Sequence, residues 1–313
     1  MERVFIGKDV KGYDSLGKPI FKKRVSEVNI LNKRSKADKV IFGVVFGLFS
    51  LYTLTILFSL VWMIITSLKG VADDFGFGLP KSWMFSNYVD AFTMLKADDG
   101  TTDFFGMIFN SLWYTASVTG LGVLMPCITG YVLSKYKFPM RGVIFSVAIT
   151  SMMIPVVGNM ASNMKLVGEL GLYNTPFFPI VSSLGGFGGN FLVYYGFFKS
   201  VSWAYAEAAQ MDGGGPFTIF FKIMFPQAIP IMLTYAITNA IFNWNEYQTI
   251  ILYLPSFPTL ASGLFSYKAQ AERFGNIPIY FAGLIISMIP TIILFSIFSN
   301  KVMTSLSIGG LKG

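Results

Sequence analysis

Long runs without a single charged side chain constrain this chain more than any other feature. A helix that crosses a bilayer needs about 20 predominantly apolar residues. Five uncharged runs meet that length, Val40 to Leu68, Phe104 to Ser134, Gly142 to Met164, Leu170 to Phe198 and Phe274 to Asn300. A sixth, around Pro230 to Leu254, is interrupted by Glu246 and qualifies as a span only if that carboxyl faces protein or water. The pattern predicts an all-α integral membrane protein with six transmembrane helices. Composition agrees, because 13% of the residues are charged against about one-quarter in soluble domains. A chain of 313 residues has little length left over for a soluble catalytic domain.

Lys and Arg accumulate in segments that stay in the cytoplasm, and this sets the expected orientation. An even number of spans puts both termini on one side. With the termini inside, eighteen Lys and Arg fall in inner segments and six outside, and eleven of the eighteen precede Val40 in a basic arm, residues 1–39. The first outer loop is acidic, with Asp73, Asp74, Asp90, Asp98, Asp99 and Asp103. The net charge of +8 is therefore a topology signal first, with anionic membrane lipid as a second partner for a cluster such as Lys22, Lys23 and Arg24. Nucleic acid is not expected as a partner. A cleavable signal peptide has a short basic leader and a small-residue cleavage site; this run has neither, so the first span is expected to remain in place.

The residues that are missing exclude several chemistries. There is no histidine and a single cysteine, Cys127, so neither a histidine or thiolate metal site nor an intrachain disulfide is expected. No paired acids, nucleophile with a base, or other catalytic constellation lies in the runs, which argues against a membrane glycosyltransferase or hydrolase. No phosphate-binding G-x-x-x-x-G-K-[ST] loop is present, so any ATP-derived energy must come from another chain. Gly185, Gly186, Gly188 and Gly189 in the fourth run mark close helix packing or a break.

The decisive stretch lies between the fourth and fifth runs. It reads Glu207, Ala208, Ala209, three residues, Gly213, nine residues, Ile223, one residue, Phe225, Pro226. This resembles the EAA motif of ABC importer permeases, E-A-A, three residues, G, nine residues, I-x-L-P, with Phe225 where Leu is usual. Local physics suits a docking knob, since Trp203 to Met211 is alanine-rich, Gly213 to Gly215 permits a sharp turn, and Pro216 can open a second short helix. Further patterns narrow the resemblance to the MalG-like carbohydrate branch. They are Thr66-Ser67-Leu68-Lys69, Asn110-Ser111-Leu112, the turn Tyr131 to Arg141, Leu170 to Thr175, Trp244-Asn245-Glu246, and the ending Gly310-Leu311-Lys312-Gly313.

The resemblance implies a type I ABC importer permease core. It would comprise the first helix at 40–68, a core at 104–300 holding the coupling loop 201–226, and a cytoplasmic tail at 301–313. It further implies a multi-pass protein of the bacterial cytoplasmic membrane that imports a carbohydrate, with an oligosaccharide favoured. Implied partners are a second permease subunit, two ATPase subunits carrying ATP and Mg, and an extracytoplasmic solute-binding protein. Glu207 would pair with a basic residue of an ATPase subunit. This chain itself would hold no cofactor.

A solute path is expected along the fifth helix. Tyr235, Asn239, Asn243 and Glu246 recur at spacings that share one face, within an arc of about 80°. Amides and a carboxylate suit sugar hydroxyls, Trp244 and Tyr247 offer flat faces to a pyranose, and Asn159 and Asn163 supply a possible facing pair. The alternative for the asparagines is that they tie helices together. A self-sufficient secondary transporter or channel is the rival class, although such carriers show paired repeats and midplane ionisable groups, and Glu246 is the one expected intramembrane charge.

Overall fold

A computed structural model describes residues 10–13, 19–21, 36–70, 73, 76, 78–97, 100–154 and 158–308. The chain divides into two compact units, Met1–Val61 and Trp62–Gly313. In the first unit, β1 (Val10–Tyr13) and β2 (Pro19–Phe21) pair antiparallel, with Val10 opposite Phe21 and Tyr13 opposite Pro19. The register shifts between Val10 and Gly12, which makes Lys11 the extra residue of a bulge. Helix α1 (Lys36–Ser67) then runs without proline, carries apolar residues on every face, and leaves side chains such as Phe46 and Phe49 well exposed. A helix apolar all round is one made for lipid or a buried interior.

In the second unit the elements follow as α2 (Asn87–Met94), α3 (Phe104–Lys135), α4 (Arg141–Met153), α5 (Met160–Glu169), α6 (Phe177–Ser182) and α7 (Gly189–Ser200). Then come α8 (Ala204–Met211), α9 (Pro216–Ile219), a π-helical turn (Phe220–Met224), α10 (Phe225–Trp244), α11 (Gln248–Tyr253), α12 (Leu260–Phe274) and α13 (Ile277–Ile308). Among the described residues, four helices are long and apolar enough to cross a membrane, Ala37–Ser67, Phe104–Lys135, Pro216–Trp244 and Ile277–Ser299. These are the first, second, fifth and sixth expected runs. α13 continues through the first part of the expected tail, and Gly309 to Gly313 lie outside the described residues.

The third and fourth runs are each divided, so single helices of spanning length do not reach the expected six. α4 has 13 residues, about 20 Å of helix against a hydrocarbon core of about 30 Å. It ends where Ile154, the residue before Pro155, turns extended at φ −76 and ψ 115; a following proline disfavours helical geometry at that position. The fourth run breaks between α6 and α7 at its glycines. Gly188 sits at φ 154, a region that favours glycine. A Cβ on Gly186 would come within 2.3 Å of Thr129 Cγ2, and the Thr129 hydroxyl donates to the Gly186 carbonyl. The cluster thus serves as both a break and a close approach to α3.

α3 is the hub, packed against α7 and α10. Gly130 of α3 allows the α7 backbone to come close, since a Cβ there would lie 2.8 Å from Tyr194 Cβ. Asp103 caps the start of α3 by accepting from the Gly106 amide at 2.8 Å. At its other end Arg141 Nε donates to the Leu133 carbonyl at 2.7 Å and Lys135 Nζ to the Val201 carbonyl, so the last turn's carbonyls are partly satisfied by a cation.

Candidate functional site

The loop that carries the motif folds as two short helices around a glycine turn. Asp212 closes α8, and Gly213 follows at φ +80. The Gly213 amide donates to the Gln210 carbonyl at 3.0 Å and the Gly214 amide to the Ala209 carbonyl at 2.7 Å, the paired bonds of a Schellman ending. A Cβ on Gly214 would sit 2.7 Å from Ala209 O, so the turn is closed to larger residues at that point. Pro216 opens α9 at the first helical position, where its missing N–H leaves nothing unpaired. The π turn that follows is explained by Pro226. In an α-helix its ring would meet the Lys222 carbonyl, and widening the turn, with Phe225 donating back to Phe220, relieves that contact.

The knob has a buried foot and an exposed head. Ala206, Ile219, Phe220 and Met224 are buried with Tyr131 and Phe198, while Trp203, Ala209 and Phe225 pack against them. Ile223 is half-buried. Glu207, Ala208, Gly213 and Pro226 are exposed, and Met211 and Phe217 are 89% and 80% exposed. The head of the knob thus exposes two large apolar side chains and a carboxylate. The expected turn Tyr131 to Arg141 is its buttress, since Tyr131 packs on Phe220 and Tyr136 on Trp203 with ring centroids 4.9 and 5.9 Å apart.

The expected solute path is only partly assembled. α10 ends at Trp244 with Asn245 as its cap, so Glu246 lies beyond the helix and not on its polar stripe. Its carboxylate accepts the Thr249 amide in the first turn of α11 at 2.9 Å. Trp244 is buried, and its indole N–H donates to the Ser287 carbonyl of α13 at 2.9 Å. Asn243 donates to the Thr119 hydroxyl of α3 at 3.1 Å, a tie between helices. Asn239, half-buried one turn earlier, has no side-chain partner among the described residues. Tyr247 stacks on Phe265, centroids 4.4 Å apart. Asn159 and Asn163 are exposed at the start of α5, which packs against α11, and neither side chain bonds to α10 among the described residues.

Several residues noted only as pattern turn out to tie loops to helices. Asn174, at φ 55, donates to the Ser256 hydroxyl at 2.8 Å and accepts the Ser256 amide at 2.9 Å. Asn110 donates to the Pro258 carbonyl at 3.0 Å, and the Ser111 hydroxyl accepts the Leu260 amide at 2.8 Å. Asn87, absent from every motif, donates to the Ser67 and Lys69 carbonyls at 2.8 Å each, which holds α2 to the end of α1.

The sequence profile described as the binding-protein-dependent transport system inner membrane component matches residues 121–302, a stretch that takes in the knob, α10 and most of α13. The chain belongs to this family. Among its relatives is the probable ABC transporter permease YurM of Bacillus subtilis, 28% identical over 84% of this chain and 86% of that protein. Another is AraQ, the arabinooligosaccharides transport system permease of the same organism, 29% identical over 85% of this chain and 94% of that protein. A solved bacterial ABC transporter involved in import of the acidic polysaccharide alginate shares the fold, with TM-score 0.69 and 22% identity over 85% of this chain and 98% of that one. The family likeness inferred from the motifs is thus confirmed. As a member the protein is a multi-pass inner-membrane permease component of a transport system and not an enzyme.

Proposed function

We propose that this permease imports a carbohydrate, an oligosaccharide in preference to a monosaccharide, and that separate ATPase subunits drive it through the knob at residues 204–226. The observation that carries the coupling is the exposure of Glu207 and Met211 on α8 and Phe217 on α9, two helices joined by the turn that Gly213 and Gly214 permit. Closure of an ATPase dimer around ATP and Mg would pull on this knob and swing α10 with it, because the π turn and α10 form one continuous helix from Phe220 to Trp244. A second permease subunit would complete the channel, and an extracytoplasmic solute-binding protein would deliver the sugar, as the family description implies. The charge bias puts both termini in the cytoplasm. The sugar assignment is supported by the arabinooligosaccharide and alginate systems among the similar proteins.

Along the path we assign Asn239 to the solute. A half-buried amide without a side-chain partner among the described residues, in a helix of spanning length, calls for water or a ligand. Asn243 and Trp244 hold α10 to its neighbours, and Glu246 and Tyr247 shape the end of the path where α10 gives way to α11.

Reconstitution tests the reading. Proteoliposomes holding this chain, its partner permease and the ATPase subunits should take up labelled oligosaccharide only with ATP and the binding protein present. Solute flux through the purified chain alone would overturn the proposal in favour of a self-sufficient carrier.

A further inference from the structure

One buried hydroxyl serves neither the knob nor the ties between helices. Tyr194 of α7 is wholly buried, and its hydroxyl has no hydrogen-bond partner among the described residues. Its ring lies 5.7 Å from that of Tyr235 on α10, centroid to centroid, and the Cys127 thiol of α3 is within electrostatic reach of the hydroxyl. Leaving a buried hydroxyl unpaired costs the full desolvation of the group. Native exceptions are few, and each calls for a cause.

The surroundings of Tyr194 supply one. Tyr194 belongs to the same buried core as Phe198 of α7 and Ala206, Phe220 and Met224 of the knob's foot. α7 and α10 leave that foot side by side, so that Tyr194 meets Tyr235 about one turn farther along α7 than Phe198. One more turn on brings Asn190 on α7 and Asn239 on α10, each four residues on and therefore on the same helix face as its tyrosine. Both asparagines are half-buried, and neither side chain has a hydrogen bond among the described residues.

We propose that the seam between α7 and α10 is a solute subsite, closed in this structure, in which Tyr194 and Asn190 take sugar hydroxyls opposite Asn239. The inference rests on the assignment of Asn239 to the solute path. Phenol and amide groups each donate and accept, and none of these side chains carries a charge, so the subsite suits the neutral hydroxyls of a sugar. Movement of the knob's foot loosens the packing of Tyr194 on Tyr235, and the hydroxyl then exchanges a buried, unpaired state for a bond to solute. The unpaired hydroxyl disfavours the closed seam, and a sugar that binds only the open seam shifts the population toward it.

The assembled transporter in proteoliposomes provides the test. Tyr194→Phe keeps the ring and removes only the hydroxyl. Uptake of labelled oligosaccharide should fall by about tenfold, the order expected for one hydrogen bond to a sugar hydroxyl, while ATP hydrolysis continues and the melting temperature stays at or above that of the wild type. Uptake at the wild-type rate would overturn the proposal; if Asn239→Leu were impaired in the same assay, the path through Asn239 would stand without it. A lowered melting temperature would also overturn it, by assigning the hydroxyl to a structural bond. Cys127 reports the opening separately, through the rate at which N-ethylmaleimide modifies it, read by mass spectrometry of its peptide. That rate should differ between the nucleotide-free complex and the complex trapped with ATP and vanadate, and equal protection in both would contradict a seam that opens.

Discussion

At the scale of single residues, the amides of α10 separate into two kinds. Asn243 is committed to Thr119 across the α3 interface, whereas Asn239 keeps its amide unpaired among the described residues. Interhelical bonds of the first kind are worth about 0.6 kcal/mol on average in a membrane, so Asn243→Ala should cost little stability. Asn239→Leu should lower oligosaccharide uptake by about tenfold, the order expected when a buried sugar hydroxyl loses a hydrogen bond of about 1.4 kcal/mol, while ATP hydrolysis by the assembled complex continues. Uptake at the wild-type rate would remove Asn239 from the path. Glu207 and Gly213 were legible because a fixed spacing of several residues singles them out. Asn87 was not, since its two bonds to backbone carbonyls leave no trace in residue spacing.

At the scale of elements, a helix is readable where nothing interrupts it. The first, second, fifth and sixth spans follow their uncharged runs, because hydropathy alone decides them. The third stops at Ile154, where Pro155 imposes extended geometry on its neighbour, and the fourth breaks at Gly188. Both signals were present in the sequence, but an uncharged run hides such a break, and in the fourth run the Gly186 carbonyl finds a partner in Thr129 of α3. The polar stripe failed for a related reason. Periodicity carried it past Trp244, where the helix ends; Glu246 lies two residues before α11 and accepts the Thr249 amide of its first turn. If that carboxylate is a cap, Glu246→Gln retains an acceptor for the Thr249 amide and should leave both thermal stability and uptake near wild type. Glu246→Ala should cost about 1 kcal/mol, read as a lower melting temperature of the detergent-solubilised protein. A Gln variant that folds normally and no longer transports would return Glu246 to the solute path.

At the scale of the whole molecule, two assignments support everything else, orientation and coupling. The charge bias predicts that exposed Ser82 and Ser202 lie on opposite sides of the membrane. In a Cys127→Ser background, an impermeant thiol reagent on intact cells should label a cysteine at position 82 and spare one at 202; the reverse pattern would invert the topology. Coupling is tested most directly at Glu207, whose charge stands at the head of the knob with Met211 and Phe217. Reversing one charge of an interfacial ion pair leaves its partner unpaired, at a cost of about 3 to 5 kcal/mol. The measurement is ATP-driven oligosaccharide uptake by proteoliposomes of the complete complex carrying Glu207→Lys, with ATPase co-purification recorded on the same sample. The account predicts loss of uptake by at least about a hundredfold and weakened ATPase retention in a chain that still inserts. Full uptake with wild-type ATPase retention would contradict it.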